Sequence, residues 1–400
     1  MAAERAGSGR RITSFLRRDE RQVDFGVRRF RLSTGSQREI LETASRAFLT
    51  GFNATVSASA PADLAARLEE LGEHQRGHAL EGAGMAAAML DALTLRRGRR
   101  LRALLSGPGR GYPQLVLSGA GRGYASLHRR PSRLVRSLPA DRVTNPALRW
   151  FAWDGYGFHR GFFTSDETIG GQRQPRRLTA EQRSLFDQGV GRSLWFHECA
   201  DPDGVALRIA EFAQARRADL WCGAGLAATY TGGADVADLG RLAVLAGQYR
   251  PDLACGAALA CAARTHAGLT PAHTGAAAHA LTGALAEEAS GWVATALRGL
   301  GLKAASPGGY LLWREQISDL WTAYRGPAEL TSYASGEMLA AGRGQDRFGS
   351  SSVARGQDAF GASVAGLESL DAASEFASYV PAQTAAPVSP ATARAAERER

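Results

Sequence analysis

Lysine is almost missing from this chain: of 48 Lys and Arg residues, only Lys303 is a lysine. With the excess of alanine and glycine, that skew reads as the codon bias of a GC-rich genome. The net charge of +9 is then a weak pointer to an anionic partner. Zinc-finger spacing, an RRM-type aromatic motif and a basic helix followed by heptads are all lacking, so nucleic acid is not the expected partner.

Cysteine is scarce as well. Cys199, Cys222, Cys255 and Cys261 contain no CxxC pair, which suggests neither a zinc cage nor a redox dithiol. They read as small apolar core residues, and neither a metal nor a cofactor is expected. No run reaches the ~18 apolar residues of a membrane span, and the start, MAAERAGSGRRITSFLRRDERQ, has no apolar region before a cleavage site. The expected location is the cytoplasm. A GxSxG elbow, a Walker A loop, HExxH and a papain-like cysteine context are also lacking. Of the Asp-rich motifs of a prenyl-diphosphate cyclase, only fragments occur, DPD at 201–203 and DVAD at 235–238. An enzyme here would work without a standard cofactor signature.

What is present favours helix. Four hundred residues at 44% apolar content can bury a large core, and Ala, Leu and Arg outweigh the β-branched residues. The expected class is mainly α. The stretch 61–90 lies without gaps on 202–231, matching Pro61 with Pro202, Arg67 with Arg208, Glu70 with Glu211, Arg76 with Arg217, and Gly82-Ala83-Gly84 with Gly223-Ala224-Gly225. A fainter echo sets 118–128 on 255–265. This self-similarity predicts two related helical halves, 25–145 and 146–330, the second opening on an aromatic junction. A loose Arg-rich segment is expected over 1–24. A flexible tail is expected over 331–400, where RGQDRFG recurs as RGQDAFG amid small polar residues.

Two near-identical phrases, SGPGRGY at 106–112 and SGAGRGY at 118–124, invite a phosphate-loop reading. That loop needs a strand before it and a helix N-terminus after it. LVL at 115–117 is too short for the strand, and a small-residue packing helix is the preferred reading.

The densest unusual residues are RWFAWDGYGFHRGFF at 149–163 and FDQGVGRSLWFHECADPDG at 186–204. An aromatic wall beside a few polar groups suits an apolar ligand with an anchored polar end; aromatics filling the seam between two halves is the plainer alternative. His159 could serve as acid or base with Asp154 as its orienter. Glu81 sits among small apolar neighbours, where a carboxylate needs a partner, and Arg192 or Arg217 could supply it. Its equivalent in the second half is Cys222, so the repeat itself does not demand it. His74, His78 and Glu81 have helical spacing for a metal, but Gly72 and Gly77 are expected to place a turn within the run. The ligand wall would comprise Trp153, Tyr156, Phe158, Asp187, Gln188, Trp195 and Trp221.

RGHALEGAGMA at 76–86, DGYGFH within 149–163, DQGVGRSLWF within 186–204 and RRADLWCGAGLAATYTGG at 216–233 resemble the bacterial family DUF1702, of unknown function, which recurs beside enediyne polyketide synthases. The resemblance runs from about 25 to 325. It implies a part in building a polyketide-derived natural product and places Glu81, Asp154, Tyr156, His159, Asp187, Gln188, Arg192 and Trp195 at motif positions. Arg160 and His78 depart from it, where an acidic and an aromatic residue are expected. The expected function is cofactor-independent acid/base chemistry, such as cyclisation or isomerisation, on an apolar polyene-like or acyl-carrier-linked intermediate. The alternatives are a non-catalytic binding protein for that intermediate and a helical-repeat scaffold for other pathway proteins. A homodimer would suit any of the three.

Overall fold

The computed structural model describes residues 16–58, 61–94, 98–137 and 145–326, and for Pro61 and Ala62 the backbone alone. The expected loose N-terminus falls partly, and the expected tail after 330 wholly, outside them. The described residues are mainly helical, with no strand among them. Seven long helices follow one another: α1 (Ser36–Ser57), α2 (Glu73–Leu93), α3 (Pro113–Ser126), α4 (Phe151–Phe163), α5 (Ala180–His197), α6 (Gln214–Thr231) and α7 (Arg250–His266). Each packs on the next. Shorter helices such as Arg99–Ser106, Pro202–Glu211 and Val236–Leu245 return the chain between them, and α8 (Ala286–Leu300) and α9 (Pro307–Arg325) close the far side.

Local signals set these boundaries. Thr179 and Gln182 form a capping box at the start of α5. Asp201 caps the helix that opens on Pro202, as its proline predicts. Gly232, at φ 78°, ends α6 in a backbone conformation that other residues adopt only with strain.

Neighbouring long helices run parallel. Ser184, near the start of α5, bonds Asp219 near the start of α6, and Trp195, near the end of α5, donates to the carbonyl of Gly232 just beyond α6. The row also curls, bringing the last turns of α6 and α7 to the first turns of α2 and α3. Arg264 of α7 thus reaches the carbonyl of His74, and the His78 ring lies edge-on to Tyr230.

Glycine sets the spacing of the row. Across α2 and α3, Gly84 lies against the Val116 carbonyl and Gly119 against that of Glu81. The same reciprocal pairing joins Gly121 and Gly155 to Ala152 and Ser118, Gly157 and Gly189 to Phe186 and Asp154, Gly191 and Gly223 to Leu220 and Gln188, and Gly225 and Gly256 to Leu253 and Cys222. A Cβ at any of these glycines would fall 1.8–2.2 Å from a carbonyl oxygen, well inside contact distance. Five successive helices therefore carry Gly-x-Gly, one glycine for each neighbour. The phrase at 118–124 lies inside α3, with Gly119 and Gly121 against backbone, while 107–111 is the turn that leads into it.

Candidate functional site

The residue before each first glycine points at the inside of the curl. In α2 to α7 these residues are Glu81, Ser118, Asp154, Gln188, Cys222 and Cys255, all buried. Because the backbones are so close, successive members meet. Ser118 donates to Glu81 at 2.7 Å, Gln188 donates to Asp154 at 2.9 Å, the Cys222 thiol lies 3.9 Å from the Gln188 amide oxygen, and Cys255 donates to the carbonyl of Arg314 at 3.5 Å. The Tyr310 hydroxyl bonds Gln188.

One turn further along the same helices come Arg122, Phe158 and Arg192. Arg192 donates to Ser118 at 2.9 Å, to Glu81 at 3.3 Å, and to Asp154. Arg122 sits 3.5 Å from Glu81 with its guanidinium between the rings of Phe48 and Phe158, 3.7 and 4.4 Å from their centroids. Two carboxylates and two guanidiniums are thus closed into one buried cluster, the arrangement that lets charge persist away from water.

The two carboxyls differ in acidity. Burial works to raise both. At Glu81 the nearby Arg192, Arg122 and Ser118 outweigh it and the group falls below its ordinary range. Asp154 is fully enclosed and has one guanidinium and one amide, so burial prevails and its pKa is raised. Arg192 keeps its proton, because Asp154 and Glu81 together outweigh its own desolvation.

A space of about 20 Å³ lies beside Glu81, Arg122, Phe158, Arg192, His78 and Tyr230, room for a single water. His78 and Thr231 also line a cleft of about 330 Å³, with His74, His273, Gly232 and Arg264. His78 therefore stands between cleft and chamber. Burial, followed by the charge of Arg264, lowers its pKa to about 3, leaving a neutral imidazole. The Tyr230 hydroxyl is buried without a hydrogen-bond partner, and burial raises it to about 12. Neutral imidazole, phenol and carboxylate thus line one chamber.

Of the residues expected from sequence, Glu81, Asp154, Gln188 and Arg192 come together, with Phe158 against Arg192. His159 lies apart from them. It packs on Phe163, its Nδ1 has no hydrogen-bond partner, and Asp154 is held by Arg192 and Gln188 instead. Asp187 pairs with Arg216 and accepts from Gln174. Trp153 and Trp195 are fully enclosed, and Trp221 and Tyr156 are core residues too. An apolar cleft of about 380 Å³ lies elsewhere, among Tyr112, Leu115, Leu148, Leu259, Leu297 and Trp313.

One expectation resolves to one of its two alternatives, and another needs correction. Arg217 donates to the carbonyls of Ala210 and Phe212, so Glu81 takes Arg192 and Arg122. Gly77 makes no turn; α2 runs through it, and its missing side chain admits the Tyr230 hydroxyl, which a Cβ would meet at 2.0 Å. Sequence reading passed over Arg122, Tyr230, Arg264 and His273. Arg122 carried a usable signal, standing one turn after the residue that precedes the glycine pair, as Arg192 does.

Fold and site together define, over the described residues, a mainly helical protein whose parallel helices enclose a charged chamber at the foot of a cleft. The family model described as protein of unknown function (DUF1702) matches residues 8–320, and the chain belongs to that family. Neither a curated protein nor a solved structure matches it. Among the described residues no helix is long and apolar enough to cross a membrane, and no group of His, Cys, Asp and Glu is arranged to hold a metal.

Proposed function

We propose that the protein acts on an intermediate of polyketide-type natural-product assembly, by proton transfer at the chamber beside Glu81. The observation that carries this reading is the placement of a buried four-charge cluster on the wall of a cavity, with neutral His78 between it and a cleft of ligand size. His78 takes or delivers the proton, Glu81 and Tyr230 orient or share it, and Arg192 and Arg122 stabilise charge that develops beside them. Asp154 and Gln188 fix Arg192. The polyketide type of the intermediate and the enediyne class of product rest on the sequence resemblance alone.

We also infer that the two halves descend from a duplication. The sequence match of 61–90 with 202–231 supports it; the glycine contacts recur at every junction from α2 to α7 and do not single out two halves. A scaffold for pathway proteins is the second reading, favoured by the serial row of helices.

The test is a producing host carrying Glu81→Gln, with the purified protein weighed by native mass spectrometry. Loss of the product, with a small molecule retained on the variant, is the expected outcome. Full production from Glu81→Gln and from His78→Phe would leave the scaffold reading in place.

A further inference from the structure

Arg264 stands out among the buried arginines. It is 1% exposed, yet among the described residues no carboxylate lies within ion-pairing distance. Its guanidinium lies 3.8 Å from the centroid of the Tyr230 ring and donates to two carbonyls, Tyr230 at 2.5 Å and His74 at 3.4 Å. Its Nε has no hydrogen-bond partner. The contrast with Arg122 and Arg192 is sharp, since both of those are matched by Glu81 and Asp154.

A buried cation without a counterion is costly unless something mobile supplies the charge. Arg264 lines the 330 Å³ cleft, with His74 and His273 beside it and Ile40, Ala44 and Thr43 opposite. The only carboxylate on the lining is Glu39, which is exposed. We propose that this cleft binds an organic carboxylate, its acid group held by Arg264 and its chain lying toward Ile40 and Ala44. This names the ligand class for the cleft and so rests on the functional reading of that site.

A guanidinium presents parallel donors that match a carboxylate. The charge count favours carboxylate over phosphate. Arg264 is the one Arg or Lys on the lining, so the cleft offers a single guanidinium, which a singly charged carboxylate matches.

The test is calorimetric titration of the full chain with hexanoate, its uncharged analogue hexanamide, and inorganic phosphate. Hexanoate should bind about tenfold or more tightly than hexanamide, and Arg264→Gln should abolish that preference. Phosphate should not displace hexanoate. Ile40→Trp, at a position 42% exposed, should weaken both organic ligands without touching the core. Equal affinity for hexanoate and hexanamide, displacement by phosphate, or no hexanoate binding at millimolar concentration would each overturn the proposal. If Arg264→Gln fails to fold by circular dichroism, Ile40→Trp decides, and unchanged hexanoate affinity in it refutes the site. Because the titration reads binding alone, Arg264-dependent hexanoate binding in a protein whose Glu81→Gln form still supports production would refute proton transfer and leave the carboxylate site standing.

Discussion

The two ends of the buried polar line share a backbone and differ in chemistry. At one end the residues before the glycines are Glu81, Ser118 and Asp154; at the other they are Cys222 and Cys255, with Gln188 between. The glycine contacts that position them are equivalent at both ends. The charged end borders a cavity and needs Arg122 and Arg192 to exist, whereas at the thiol end the rungs are thiols and the nearby ion pair, Arg314 with Asp219, comes from other positions. Helix spacing alone therefore does not create a site. The site appears where charged residues occupy a position that the frame offers in every helix.

The largest expected effect separates the ends directly. Arg192→Met leaves Asp154 and Glu81 short of a partner and should cost about 3–5 kcal/mol in chemical denaturation. Cys222→Ala at the other end should cost on the order of 1 kcal/mol. Equal losses would mean that the ion cluster is not what holds its end together.

A smaller effect should be common to both ends. Gly119→Ala and Gly256→Ala each place a Cβ within 2 Å of a carbonyl oxygen and should each destabilise by about 1–3 kcal/mol. Gly275→Ala, in a helix with open space around it, should instead be mildly stabilising. A large difference between Gly119→Ala and Gly256→Ala would show that the frame is not shared.

Per pH unit the effect is smaller still, a pair of opposed slopes of up to about 1.4 kcal/mol. His78 has a folded pKa of about 3 against 6.5 ordinarily. Between these values the unfolded chain binds the extra proton, so stability falls as pH falls, and His78→Phe should remove that loss. Asp252, on α7 at the thiol end, is raised from 3.8 to about 6, by burial first, with Arg314 opposing and Asp219 adding to it. Between 3.8 and 6 the folded chain binds the extra proton, so stability falls as pH rises, and Asp252→Asn should flatten that limb. Denaturation midpoints from pH 3 to pH 7 read both slopes.

The helical class was legible in composition, and the match of 61–90 with 202–231 exposed part of the regularity. The once-per-helix glycine pair was not seen, because only two residues recur and the residue between them is Ala, Ala, Tyr, Val and Ala in turn. Glu81 was found from the cost of a buried carboxylate, and Arg192 from the need to match it. His159 drew attention by its motif, but a helix turns residues five apart away from each other, and Asp154 faces Arg192. The aromatics stood out because of their size, which suits a core as well as a pocket. Arg264 could not be read at all, since Tyr230 lies on the preceding long helix and His74 on one that only the curl of the row brings near.

The glycine contacts have a consequence for how such a protein can change. Each helix is docked by main chain against main chain, so the side chain before the first glycine can be exchanged without disturbing its neighbours' positions. The frame is intolerant at the glycines and permissive at the rung beside them. New chemistry can then be installed one rung at a time, on condition that each newcomer finds a counterpart on the adjoining rung.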